Sequence, residues 1–188
     1  MTTECLKTVI SEINKLKQNR CIVAIDGRCA AGKSTLAQQL KEYFQCSVIH
    51  MDDFFLQPHQ RTKERLEEPG GNIDYERFLQ EVIHPLQNNL DFSYRVFDCK
   101  QLDFKEKINV HQTDVIIIEG SYSCHPNFKD IYDLKLFLDV DKDKQLLRIE
   151  RRNGSAQLNM FIARWIPMEE KYFETFDIKD NCDIVFKS

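Results

Sequence analysis

The chain has no apolar run approaching the ~18 residues that a bilayer-spanning helix needs. Its first residues, Met-Thr-Thr-Glu-Cys-Leu-Lys, lack the charge-then-apolar order of a secretory leader. No Cys-x-x-Cys pair occurs among the seven cysteines, at positions 5, 21, 29, 46, 99, 124 and 182, and their odd number suits reduced thiols rather than a disulfide framework. An excess of positive charge is missing as well. The net charge of −4 gives the whole molecule no field attractive to nucleic acid. There are no repeats, low-complexity tracts or linker. With 188 residues, 42% of them hydrophobic, one domain spanning 1–188 is expected. These absences argue against membrane, disulfide-stapled and nucleic-acid-binding classes and predict a cytoplasmic globular chain; assembly into a homo-oligomer stays open.

What is present centres on Cys21 to Leu36, which contains Gly27-x4-Gly32-Lys33-Ser34, the P-loop pattern. The apolar run Ile22 to Ile25 before it reads as a buried strand. Leu36, Leu40 and Phe44, four apart, read as one face of a following helix. In that context glycines let the backbone curl around phosphates without a Cβ clash, and the amides opening the helix favour an anion. Residues Gly27, Arg28, Cys29, Ala30, Ala31, Gly32, Lys33, Ser34 and Thr35 are thus expected to bind a nucleoside triphosphate. Lys33 would reach its terminal phosphates and Ser34 would ligate Mg²⁺. Cys29 reads as an inert small residue in this loop.

Further strands are expected at Cys46–Met51, Val115–Ile118, Leu134–Val140 and Cys182–Phe186, with an extended hairpin over 93–110. Helices are expected over 3–18, after an N-cap at Asp74 with a kink at Pro85, and over Lys142–Arg152. Residues 56–73, with Pro58, Pro69, Gly70 and Gly71, read as a loop. A helical stripe of Phe161, Trp165, Met168 and Tyr172, interrupted by Pro167, reads as core packing rather than an aromatic ligand box. Strands alternating with helices imply a mainly parallel sheet, in which ligands bind beyond the strands' carboxyl ends. That rule gathers the P-loop, Asp52-Asp53 and Glu119-Gly120.

A strand ending in an acid is the expected partner of a P-loop. Asp52 opens onto the polar loop and reads as the base for an acceptor hydroxyl; Glu119, with Asp52 and Ser34, reads as a holder of Mg²⁺. The two acids' roles could be exchanged or shared. Arg148 and Arg152 lie four apart on one helix face. They read as lid cations, the lid covering about 148–157, that stabilise charge on a moving phosphoryl group. No Asn-Lys-x-Asp guanine-reading segment occurs.

With these motifs in order, the chain resembles the uridine kinase-like branch of P-loop kinases, which includes phosphoribulokinase and type I pantothenate kinase. The resemblance runs through I-D-G-R-C-A-A-G-K-S-T, M-D-D-F-F, P-G-G-N-I-D-Y-E-R-F, V-F-D, I-I-I-E-G-S-Y, F-L-D-V-D, R-I-E-R-R-N-G and W-I-P-M-E-E-K-Y-F. It implies a three-layer P-loop fold with a small β-hairpin on the acceptor side and a helical lid. It implies phosphorylation of a small hydroxyl compound with ATP and Mg²⁺, Asp52 being the base. It places Phe54, Phe55, Glu67 (or Glu68), Phe97 and Asp98 at the acceptor. Phe97 stands where the family has Tyr, and no His follows in Cys99–Asp103. A nucleoside of the uridine or cytidine kind is the leading acceptor. Pantothenate, a sugar acid, or no acceptor at all (a regulatory ATPase) are the alternatives.

Overall fold

The structure is a computed structural model that describes residues 3–16 and 20–187. Residues 17 and 18, assigned above to the first helix, lie outside that description. The central sheet has five parallel strands in the order β2-β5-β1-β6-β7: β1 (Cys21–Gly27), β2 (Ser47–His50), β5 (Val115–Glu119), β6 (Leu134–Asp139) and β7 (Ile184–Lys187). Two further strands, β3 (Phe92–Asp98) and β4 (Asp103–Val110), pair antiparallel as the separate hairpin. β5 is buried along its whole length as expected, but the middle of the sheet is β1, which pairs with both β5 and β6.

Side chains alternate across a strand, and β1 shows how that builds three layers. Ile22 and Ala24 point to one face, where they meet Ile49, Phe78, Tyr94 and Tyr172. Val23 and Ile25 point to the other, against α1 (Thr3–Leu16) and α2 (Lys33–Phe44) through Val9, Ile13, Leu36 and Leu40. The sheet is therefore covered on both sides, which is why its inner strands are continuous apolar runs.

Two proline-bearing helices share a device. The helix capped by Asp74, whose side chain accepts from Arg77 N, runs as α4 (Tyr75–Phe78), a π turn Leu79–Ile83, and α5 (His84–Gln87). Pro85 has no N–H and crowds the carbonyl four residues back; the wider π turn ahead of it accommodates the loss without breaking the helix. After α6 (Lys142–Asn153) and α7 (Ser155–Met160), a second π turn, Phe161–Trp165, ends two residues before Pro167 in the same way and leads into α8 (Ile166–Thr175). Leu90 lies beyond the end of the first of these helices and is exposed. The 56–73 loop holds a short helix, α3 (Lys63–Glu67), because Thr62 caps it by accepting from Arg65 N at 3.1 Å.

Candidate active site

The carboxyl ends of β1, β2 and β5 and the helices after β6 enclose a cavity of about 860 Å³. β1 delivers the P-loop. Cys29, Ala30, Gly32, Lys33, Ser34 and Thr35 line the cavity, where the first-turn amides of α2 have no carbonyl a turn earlier to bond. Lys33 is buried, its Nζ donating to Gly27 O (2.6 Å), Arg28 O (3.0 Å) and Ser121 Oγ (3.2 Å). Gly27 and Ala31 shape the loop from behind. Arg28 turns away, its guanidinium held by both Glu170 oxygens (2.7 Å each) and by Asp139. Cys29 is buried beside Glu169, and burial pushes its thiol up to about 12, away from the thiolate form in which a cysteine acts as a nucleophile.

β2 delivers Asp52. The turn Met51–Phe54 follows the strand directly and aims Asp52 into the cavity. Asp53 points elsewhere and accepts from Tyr94 Oη at 3.0 Å. Solvent reaches Asp52 through the cavity mouth, but protein surrounds its carboxyl on the other sides. Burial lifts it above the ordinary carboxylate range, Lys33 pulls it back, and the neighbouring Glu119 raises it again. Glu119 ends β5, is buried, and shares one oxygen with His50 Nδ1 at 2.6 Å; that hydrogen bond raises His50.

The side chains at this end suit a magnesium ion. Ser34, Asp52 and Glu119, all lining the cavity, are an all-oxygen set, the donor type Mg²⁺ takes alongside waters and phosphate. The mutual repulsion of Asp52 and Glu119 is of the kind a cation relieves.

The lid delivers Arg148 and Arg152, both on the cavity wall. Arg148 Nη1 donates to Ala30 O at 3.1 Å, tying α6 to the P-loop. The charge of Arg152 acts on Asp52. The wall continues past 157, where the expected lid ends, to Phe161, Arg164 and Trp165. This corrects the core-packing expectation for the aromatic stripe: Phe161 and Trp165 are only half-buried and face the cavity, whereas Tyr172, two turns on, is core.

Several expected acceptor contacts also move. Phe55 lines the cavity. Phe54 does not: it is fully buried, packing edge-on against Phe78 at 4.9 Å under the Arg77 guanidinium. Glu67 and Glu68 are both exposed, with Glu67 3.8 Å from Lys63, and Arg61 and Leu66, both earlier in the same segment, line the cavity instead. Phe97 is buried against Phe104, and Asp98 caps the hairpin turn by accepting from Lys100 N at 2.7 Å; their neighbour Cys99 reaches the cavity. The reason is common to all three corrections. An aligned segment fixes a turn, but which of its adjacent side chains faces the cleft depends on strand and helix phase.

The sequence reading passed over other groups. Asp26 is fully buried at the end of β1 and accepts from Gly27 N (2.6 Å), Cys124 N (2.9 Å), Tyr172 Oη (2.8 Å) and Tyr122 N (3.2 Å). It joins the P-loop to the 120–125 turn, and burial pushes its carboxyl up to about 6 despite those donors. An acid inside an apolar strand was the available signal. Glu169 accepts from Cys29 N (3.0 Å) and from Ser121 Oγ (2.7 Å), so the hydroxyl near Lys33 is itself oriented by a buried carboxylate. Nothing in the local sequence marks Glu169. Asn72, fixed opposite the Asp52 turn by its carbonyl accepting from Leu56 N at 3.2 Å, completes the far wall.

A family model described as "Phosphoribulokinase / Uridine kinase family" matches residues 22–155, and the chain belongs to that family. The match contains the P-loop, Asp52, Glu119 and Arg148/Arg152 together. A uridine kinase of Chlamydia pneumoniae is 28% identical over 170 residues, covering 81% of this chain and 76% of that protein. One of Bacillus subtilis is 25% identical over 177 residues, covering 84% and 82%. Among solved structures, a possible uridine kinase from Bacillus stearothermophilus superposes with a TM-score of 0.66 at 22% identity, covering 95% of this chain and 99% of that one. Phosphoribulokinase from Rhodobacter spheroides gives 0.61 at 13%, covering 90% and 70%. These structures share the P-loop kinase fold.

Proposed function

We propose that the protein transfers the γ-phosphate of ATP to a hydroxyl of a small acceptor, with a nucleoside of the uridine or cytidine kind as the acceptor. The observation that carries this reading is the convergence of Lys33, Ser34, Asp52, Glu119, Arg148 and Arg152 on one cavity from four separate segments. The P-loop amides and Lys33 hold the phosphates. Asp52 lies where an acceptor hydroxyl can approach them, and its ionised form accepts the hydroxyl proton. The acceptor oxygen then bonds the γ-phosphorus as the bond to the β,γ-bridging oxygen breaks, and ADP leaves with that oxygen. Arg148 and Arg152 stabilise charge spread over the moving group. Mg²⁺, held by Ser34, Asp52 and Glu119, neutralises phosphate charge when bound.

The relatives' name supports a nucleoside, as does a cavity with apolar walls at Phe55, Leu56, Leu66, Phe161 and Trp165. The test is coupled-enzyme detection of ADP with uridine, cytidine, pantothenate and sugar acids in turn. ADP dependent on one acceptor supports the reading; release that is the same without any acceptor marks a regulatory ATPase instead.

A further inference from the structure

The π turn Phe161–Trp165 presents two aromatic rings, one helical turn apart, to the cavity. Both are half-buried, so neither is spent on the core. Each is steadied by a cation over its face, Arg152 at 6.0 Å from the Phe161 ring centre and Arg164 at 4.7 Å from that of Trp165. Two contacts put them on the acceptor side of the cavity. Arg152, above Phe161, is the lid cation that acts on Asp52. In α8, the continuation of the same helix, Lys171 Nζ donates to Glu67 O at 2.5 Å and seats that helix on the 56–73 loop. That loop adds Leu56 and Leu66 to the lining of the same cavity. A cavity lined by aromatic rings and branched apolar chains fits a flat body better than a flexible polar one.

We propose that Phe161 and Trp165 form a stacking wall that determines acceptor specificity, selecting hydroxyl compounds that carry a flat unsaturated ring over those that carry none. This rests on the kinase reading and extends it to two residues outside the phosphate machinery. They act on acceptor binding and leave the phosphoryl-transfer step to Asp52 and the cations.

Trp165 is the single tryptophan of the chain, so its fluorescence reports on the wall without turnover. The full chain is titrated with uridine, cytidine, ribose and pantothenate, and steady-state kinetics are measured for wild type, Phe161→Ala, Trp165→Ala and Trp165→Phe. Uridine or cytidine is expected to change Trp165 emission, and ribose and pantothenate are not. Stacking of one base contributes roughly 1–3 kcal/mol, so each alanine variant is expected to raise the acceptor KM by about 5- to 100-fold, with the ATP KM within about twofold and kcat little changed. Trp165→Phe should recover most of the loss and remains informative if Trp165→Ala does not fold. A rise confined to the ATP KM, an unchanged acceptor KM in the alanine variants, or equal use of ribose or pantothenate overturns the wall. The two readings fail separately. Emission changes with uridine but no ADP would sink the kinase reading and leave the wall standing; acceptor-dependent ADP with unmoved emission and unmoved acceptor KM would do the reverse.

Discussion

Asp52 and Asp53 are neighbours with opposite fates, which shows how finely the site is set. Asp52 faces the cavity, while Asp53 is tied to Tyr94 and its carbonyl accepts from Arg77 Nη2 at 2.7 Å. Asp52→Asn keeps the shape and removes the proposed base. It is expected to lower kcat by about 10²- to 10⁴-fold with ATP affinity, measured by calorimetry, largely kept. Arg148→Ala and Arg152→Ala are each expected to cost about 10²- to 10³-fold in kcat, the scale for removing a preorganised charge-stabilising donor, with thermal midpoints near wild type.

Two buried titratable groups, His125 and Asp26, contribute to the acid response in opposite directions. His125 is stacked at 5.1 Å on Tyr75, and burial lowers it to about 4. Its contribution to stability is present above its unfolded pKa of 6.5 and lost as pH falls through about 4. Asp26 is raised from 3.8 to about 6, so its contribution is present below 3.8 and lost as pH rises through about 6. Each shift corresponds to about 3 kcal/mol at 1.36 kcal/mol per unit, and between pH 4 and 6 they largely cancel. His125→Phe keeps a ring and removes one partner of this balance. The stability difference between wild type and variant, from urea melts, is expected to grow in favour of wild type by up to about 3 kcal/mol between pH 4 and 7; a difference independent of pH would refute the assignment.

Among elements, the junction of β1, the P-loop and β6 is the least forgiving. Gly27 has φ +129°, and a Cβ there would lie 2.1 Å from Leu138 O, so no relaxation of a side chain relieves it. Gly27→Ala is expected to abolish ATP binding and lower the thermal midpoint, read by calorimetry with and without nucleotide. The strand–loop–helix order of this junction was legible in the sequence, because a P-loop needs a strand before it and a helix after it; the place of β6 beside it was not. The acceptor side was not. Phe54 and Phe55 are chemically equivalent in the sequence, and only the phase of the Met51–Phe54 turn sends one to the core and the other to the cavity. The stripe from Phe161 to Tyr172 looks like one helical face, but the π turn ahead of Pro167 shifts its phase. Helical periodicity is read at 3.6 residues per turn, and an inserted π turn breaks that count. Pro167 carried the warning, in the same position relative to its π turn as Pro85.

At the scale of the whole molecule, the site is assembled from segments distant in sequence but adjacent at the strands' carboxyl ends, which is why a parallel sheet predicted its location before any contact was known. No described helix is long and apolar enough to cross a membrane. No disulfide joins the described cysteines, and Cys124 and Cys182 stand 4.0 Å apart as a hydrogen-bonded thiol pair. α8, the P-loop and the 120–125 turn are bound to one another through Glu169, Glu170 and Asp26. Ligand and fold are therefore expected to be coupled. ATP with Mg²⁺ at about 100 times its Kd stabilises by about 2.7 kcal/mol. At about 2–4 °C per kcal/mol, the single cooperative unfolding transition expected of a chain this size should rise by roughly 5–10 °C.

The central claim is that the P-loop and Asp52 work on a third molecule rather than on water. The most direct measurement is ADP production by the purified chain with Mg²⁺ and ATP, with and without uridine or cytidine, beside Asp52→Asn. The account predicts ADP formed in step with a phosphorylated acceptor by wild type and almost none by the variant. Equal ADP release with and without every acceptor, or an Asp52→Asn variant as fast as wild type, would contradict it.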